Sequence, residues 1–94
     1  MADVYKALAD ETRRVILDEL AARDGQTLFE ICSLLNTRHG IGASRQAISQ
    51  HLAVLESAGL VTVEWRGRSK HHRFNREPLT GITQRWLEPG KSSA

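Results

Sequence analysis

The chain of 94 residues carries a net charge of +2, is 40% hydrophobic and contains one cysteine. This length suits one compact domain over residues 1–94, and the single Cys32 excludes an internal disulfide framework. Because the amino terminus has no signal-peptide pattern and no stretch approaches the roughly 20 apolar residues that cross a bilayer, we expect a cytoplasmic protein without a membrane partner.

The charges are distributed unevenly along the chain. Residues 1–35 carry four basic and seven acidic groups, residues 36–76 carry seven and two, and residues 77–94 carry two of each. A basic middle segment in a small domain favours an anionic partner for that segment.

Three helices are predicted before residue 40. A short helix covers 4–8, and Asp10 caps a second helix that ends at Asp24-Gly25. Thr27 and Glu30 have the spacing of a capping box and begin a third helix, which ends near His39-Gly40. The inward-facing residues of the second and third helices are Val15, Ile16, Leu17, Leu20, Leu28, Ile31, Cys32 and Leu35.

The stretch "SRQAISQHLAVLESAGLV" predicts a fourth helix, capped by Ser44 and closed by Gly59. Its apolar stripe is Ile48, Leu52, Leu55 and Ala58, and the polar residues Arg45, Gln46, Ser49 and Gln50 occupy the first turns of the other side. The segment "GIGAS" before it is a turn, so the third and fourth helices form a helix-turn-helix whose turn is longer than the usual three or four residues.

A β-hairpin follows, because "LVTVEW" and "KHHRFN" are separated by "RGRS". The alternation places Val61, Val63 and Trp65 on one face, and we expect Trp65 to pack on this face of the sheet rather than to stack on a base. The cations at the tip are Arg66, Arg68 and Lys70, and no nearby acid fully balances them. A last helix over 78–88 begins at Pro78 and ends at Pro89-Gly90, and residues 90–94 form a frayed tail.

This order of elements predicts a mainly α (α+β) fold, a winged helix-turn-helix with a two-stranded β-hairpin wing and terminal helices. The segments "YKALADETRRVILDEL" and "SRQAISQHLAVLESAGLVTVEWRGRSKHHRFNREPL" resemble the bacterial ArsR/SmtB repressors over roughly residues 4–87. The resemblance implies a homodimeric DNA-binding transcription regulator, usually a repressor that leaves its operator when an inducer binds.

The residues favour the same partner on chemical grounds. Glutamine pairs bidentately with adenine, arginine pairs with guanine, and residues near the amino end of a groove-bound helix reach base edges. The expected contacts to double-stranded DNA are Ser44, Arg45, Gln46, Ser49 and Gln50 on the helix, Arg66, Arg68 and Lys70 on the wing, and Arg38 to a phosphate. The alternatives are a solvated helix face and a solubilising loop; His51 is open to packing or to phosphate contact.

The terminal helices bear on oligomeric state. Tyr5 and Leu8 in the first helix, with Ile82 and Trp86 in the last, are the apolar residues that the central core needs least. The resemblance implies that these two ends form the dimer interface, and a two-fold dimer predicts an inverted-repeat operator. The alternative is that they cover the core of their own monomer.

The sequence departs from the metal-sensing members of the family. "EICSL" has Leu34 where the second cysteine of the pair would be, and His71 and His72 are adjacent in a strand and point to opposite faces. We therefore expect no metal and no cofactor, and the inducer is unknown. Cys32 on the apolar stripe favours a structural thiol over a metal- or redox-responsive sensor.

Two further function classes can be compared with the sequence. No paired-carboxylate, Ser-His-Asp or phosphate-loop arrangement is present, so we expect no enzyme activity. A winged-helix protein-interaction module is the other alternative. It predicts an acidic or apolar face in place of Arg45, Gln46 and the basic tip, and the sequence has neither.

Overall fold

The computed structural model describes residues 3–86, with side chains as far as residue 82. Its elements are α1 Val4–Leu8, α2 Glu11–Ala22, α3 Leu28–His39, α4 Arg45–Ser57, β1 Val61–Arg66, β2 Ser69–Phe74 and α5 Glu77–Trp86. This order confirms the predicted winged helix-turn-helix. The strands run one residue closer to the turn than predicted, because Gly67 with φ 61° allows a tight reversal between Arg66 and Ser69.

The helices begin at the residues that the capping patterns predicted. The Asp10 side chain accepts a hydrogen bond from the Arg13 amide at 3.0 Å, and the Ser44 hydroxyl accepts one from the Ala47 amide at 3.1 Å. Thr27 and Glu30 form both halves of a capping box at the start of α3. Each cap contributes about 1 kcal/mol and fixes where its helix starts.

The core lies where α2, α3 and α4 meet the first residues of β1. Its fully buried large aliphatic side chains are Ile16, Leu20, Ile31, Leu35, Ile48, Leu55, Leu60 and Val61. Val15, Leu28 and Cys32 pack at its edge and are half-buried. The predicted apolar stripes therefore face one another, and burial of this surface stabilises the arrangement of the helix-turn-helix.

The turn between α3 and α4 comprises residues 40–44, as long as the sequence predicted. Gly40 has φ 65° and donates to the Asn36 carbonyl at 3.1 Å. The amide of the next residue, Ile41, donates to the Leu35 carbonyl at 2.9 Å. The Ile41 side chain packs against the core. These contacts fix the path of the turn and therefore the orientation of α4 relative to α3.

The base of the hairpin is bound to the loop before α3. An isolated antiparallel bridge joins Gln26 to His72: the His72 amide donates to the Gln26 carbonyl at 2.8 Å, and the Gly25 amide donates to the His72 carbonyl at 2.9 Å. The Gln26 side chain is buried and donates to the carbonyls of Glu19 and Arg23. The sequence pattern did not predict this link, because a glutamine in a polar loop gives no sign of burial.

The last helix begins at Glu77, one residue before the predicted Pro78. Leu79 packs against the core, and Pro78 lies beside Gly59 at the end of α4. The predicted continuation to residue 88, the stop at Pro89-Gly90 and the tail at 90–94 lie outside the described residues. None of the helices within 3–86 is long and apolar enough to span a bilayer.

Candidate nucleic-acid interface

The polar face of α4 is exposed over the first two turns of the helix. Its exposed residues are Ser44, Arg45, Gln46, Ser49 and Gln50, while Ile48 and Leu52 on the opposite side are buried in the core. The structure therefore brings together all five residues that the sequence assigned to this helix, at one end and on one side. The Ser44 oxygen accepts the capping bond, and its hydroxyl hydrogen is still able to donate.

This end of α4 has the chemistry that DNA recognition requires. A helix amino terminus presents unpaired amide groups and a partial positive charge, both of which attract a phosphate. Arg45 adds a full charge, and Gln46 offers a donor and an acceptor side by side, the pattern that matches the major-groove edge of adenine. Ser49 and Gln50 continue the same polar strip one turn further along.

The three cations of the wing tip are not equivalent. Arg66 donates to the Glu64 carboxylate, with Nη2 at 3.1 Å, so one acid partly balances one of the three cations, and the set is not fully balanced, as predicted. Glu64 also accepts from Arg73, and both arginines hold the pKa of this exposed carboxyl below its usual value. No ion pair within residues 3–86 involves Arg68 or Lys70. These two cations are the ones whose charge is open to a phosphate.

Trp65 is more exposed than the sequence pattern predicted. Directly opposite residues of an antiparallel pair share a face, so the pairs Trp65–Lys70 and Val63–His72 lie on the face that is buried at the base of the hairpin. Near the tip this face extends beyond the body, and Trp65 is 63% exposed. The predicted packing of Trp65 against the sheet is therefore wrong. Alternation identifies the face of a residue but not how far the strand projects.

Arg38 and His51, the outer candidates, contact α2. Arg38 donates to the buried Glu19 carboxylate at 3.1 Å, and His39 contacts the other oxygen of the same group at 2.7 Å. His51 lies with Nδ1 3.2 Å from the Arg13 guanidinium, which agrees with the packed alternative for this residue. A phosphate contact by Arg38 would have to be shared with Glu19.

Cys32 lies half-buried on α3, as the apolar stripe predicted. Desolvation raises the pKa of its thiol, and the nearby Arg45 opposes this more weakly. A protonated thiol is a poor metal ligand and reacts slowly with oxidants. The Nδ1 atom of His71 lies 2.8 Å from the Gly25 carbonyl oxygen, and that of His72 lies 3.0 Å from the Gln26 carbonyl oxygen. Across residues 3–86, no three His, Cys, Asp or Glu side chains are grouped to hold a metal ion.

The structure describes the side chains of three of the four residues expected at a dimer interface. Tyr5 on α1 is 52% exposed, whereas Leu8 is half-buried and packs against the core. Ile82 on α5 is half-buried. The side chain of Trp86 lies outside the described residues.

Comparison with known proteins agrees with this geometry. Residues 8–64 match a family model described as a helix-turn-helix domain. The uncharacterized HTH-type transcriptional regulator YuzN of Bacillus subtilis is 47% identical over 85 residues, which cover 90% of this chain and 92% of that protein. The arsenic resistance transcriptional regulator ArsR1 of Pseudomonas putida is 35% identical over 97 residues, covering 92% of this chain and 70% of that protein.

A solved structure extends the comparison to the whole fold. It is the homodimeric winged helix-turn-helix DNA-binding domain of a protein from Mycobacterium bovis, with a TM-score of 0.67 and 26% identity. The match covers 90% of this chain and 79% of that one. The chain therefore belongs to the ArsR family of winged helix-turn-helix DNA-binding transcriptional regulators, which are not enzymes.

Proposed function

We propose that this protein is a homodimeric repressor that binds an inverted-repeat operator through the amino end of α4 and the wing. The observation that carries the proposal is the exposed strip of Arg45, Gln46, Ser49 and Gln50 beside a wing with two cations that form no ion pair with the described residues. In this arrangement α4 enters the major groove and reads base edges, and Arg68 and Lys70 contact backbone phosphates near the adjacent minor groove. Trp65 lies exposed on the same hairpin face as Lys70.

A dimer is supported by the relative from Mycobacterium bovis, whose DNA-binding domain is homodimeric. The proposed interface is formed by α1 and α5 with Tyr5, Leu8, Ile82 and Trp86. Two-fold symmetry then sets two copies of α4 about 34 Å apart, one turn of B-DNA, and this spacing demands an inverted repeat. A dimer bound over a promoter excludes RNA polymerase, so we propose repression. Its site of action is the cytoplasm, on the nucleoid.

The proposal is tested by fluorescence-anisotropy titration of the protein against the DNA upstream of its own gene, beside a scrambled duplex, at two salt concentrations. We expect tight, salt-sensitive binding that prefers the upstream duplex, with two chains per duplex by sedimentation. In-vitro transcription from that promoter then separates repression from activation. Weak binding to both duplexes, unaffected by salt, would contradict the proposal and favour the protein-interaction module.

A further inference from the structure

A cavity of about 470 Å³ lies between the wing, α4 and the amino end of α3. We name it the helix–wing cleft and define it by Phe29 of α3, Ser49, Ala53 and Glu56 of α4, and Lys70 and His72 of β2. Small-molecule sites have volumes of about 300–1,000 Å³ and combine an apolar lining with a few convergent polar groups. The helix–wing cleft has both properties.

The middle of the cleft is apolar. Leu28 and Leu52 line it together with Ala53, and the ring of Phe29, 69% exposed, forms one wall. An exposed aromatic ring beside small aliphatic side chains offers a flat surface to another ring or to a branched apolar group. The described residues bury only the remaining third of the Phe29 surface.

The end of the cleft nearest the DNA-binding surface is polar and basic. Ser49 from the second turn of α4 lines it with Ser69 and Lys70 from β2. The Lys70 ammonium has no ion pair within the described range, so it carries its full charge into this end. A cation beside two hydroxyl groups is suited to an acidic group of a ligand.

The opposite end is closed by Glu56 and the buried His72, which is 4% exposed. Ser49 and Glu56 are separated by seven helical residues, or about 10 Å along the axis. Desolvation lowers the pKa of His72, which favours the neutral form of its ring. With Glu56 as an acceptor beside it, this end disfavours a second anionic group on the ligand.

We propose that the helix–wing cleft binds a small organic monoanion with an aromatic or branched apolar body, and that this ligand releases the protein from DNA. The acidic group contacts Lys70 and Ser49, and the apolar body lies on Phe29 and Ala53. Release follows because Lys70 and Ser49 are also proposed DNA contacts, so ligand and phosphate compete for them. This inference rests on the proposed function for its regulatory part, whereas the binding site itself does not depend on it.

The probe for the experiment is 8-anilinonaphthalene-1-sulfonate, an aromatic monoanion whose fluorescence rises in apolar surroundings. We expect the full-length protein to bind it saturably at one site per chain, and DNA carrying the operator to displace it. By thermodynamic linkage, the factor by which DNA weakens probe binding must equal the factor by which the probe weakens DNA binding. Both factors are measured, by fluorescence and by anisotropy.

Three variants locate the site. Ala53→Trp fills the apolar middle of the cleft, so we expect it to abolish saturable probe binding while it binds DNA as the wild type does and no longer responds to the probe. Lys70→Met should weaken probe binding by about tenfold, since a charge-assisted hydrogen bond is lost. The matched control is Ala21→Trp, at an exposed position of α2 away from the cleft, which should bind the probe like the wild type.

Each outcome separates the ligand site from the proposed function. Probe binding that survives in Ala53→Trp and Lys70→Met overturns the cleft, whether or not the protein binds DNA. Loss of DNA binding in a folded Ala53→Trp overturns it too, because DNA would then occupy the apolar middle of the cleft as well as its polar end. Saturable probe binding that Ala53→Trp abolishes, in a protein that binds no DNA at any salt concentration, supports the ligand site and contradicts the repressor.

Discussion

Gln46 is exposed on the first turn of α4, where a side chain with one donor and one acceptor can read an adenine. We expect Gln46→Ala to weaken binding to the operator by about 1–3 kcal/mol and to leave binding to random DNA nearly unchanged. Anisotropy titrations with both duplexes at one salt concentration measure the difference. Equal losses on the two duplexes would show that Gln46 does not read bases.

Arg66 and Arg68 form a matched pair at the wing tip, because Glu64 holds the first of them and not the second. Each phosphate contact contributes about 0.9 to the slope of log K against log salt. Arg68→Ala should lower the slope by about this amount, while Arg66→Ala should lower it less, since the charge of Arg66 is already partly neutralised. A larger effect of Arg66→Ala would show that DNA displaces Glu64 from its partner.

His72 makes the stability of the protein depend on pH. Its pKa lies below the usual 6.5, first because burial disfavours the charged ring, with Lys70 and His71 acting in the same direction and the Gln26 carbonyl and Glu56 opposing. The unfolded chain therefore binds the proton more readily than the folded protein. The contribution of His72 is present above pH 6.5 and is lost as the pH falls below that value, at about 1.4 kcal/mol for each unit by which the pKa is depressed.

Urea unfolding of the wild type at pH 7 and pH 5 measures this loss. His72→Gln has no titrating ring, so its free energy of unfolding should fall less over the same interval. The other histidines are the same in both proteins and cancel in the comparison. An equal fall in the two proteins would assign the pH dependence to groups other than His72.

At the scale of elements, the turn between α3 and α4 contains two glycines with different conformations. Gly40 has a positive φ, whereas Gly42 does not, and an added Cβ would meet no atom within 4 Å at either position. Any difference between alanine variants therefore comes from the backbone. Gly40→Ala should lower the free energy of unfolding by about 1–2 kcal/mol, the cost of a left-handed conformation for a residue with a Cβ.

Gly42→Ala is the control, and we expect stability equal to or slightly above that of the wild type, because alanine restricts the unfolded chain more than glycine does. Thermal unfolding of the two variants side by side makes the comparison. If Gly42→Ala were as unstable as Gly40→Ala, the strain would belong to the whole turn rather than to the conformation of Gly40.

The features that could be predicted from the sequence are determined by residues close together in the chain. The caps at Asp10, Thr27 and Ser44 and the apolar stripes are local patterns, so their positions agree with the structure. These patterns also predicted the order of the elements and the location of the candidate site, and the family resemblance agreed with both. Since each of these features is determined within a few residues, a single sequence was sufficient to find them.

The features that could not be predicted depend on residues far apart in the chain. The bridge from Gln26 to His72 and the contact of Arg38 with Glu19 join different elements. The exposure of Trp65 depends on how far the hairpin projects beyond the core. Sequence periodicity predicts the face on which each residue lies, but the tertiary packing determines which residues contact that face.

At the scale of the whole molecule, Tyr5 connects the fold to the proposed dimer. A half-exposed tyrosine at an interface buries a large apolar area, and a charge there opposes association. We expect Tyr5→Glu to raise the dimer dissociation constant at least about tenfold in analytical ultracentrifugation, and to weaken operator binding in proportion. Ala21→Glu, which introduces the same charge at an exposed position on α2, should leave both unchanged.

The bridge between Gln26 and His72 also has a consequence for operator architecture. It joins the base of the wing to the segment that leads into α3, so the hairpin and the helix-turn-helix move as one body. Within each protomer, the distance between the bases read by α4 and the phosphates held by the wing therefore does not change. In the proposed dimer, every operator must therefore have half-sites of the same width.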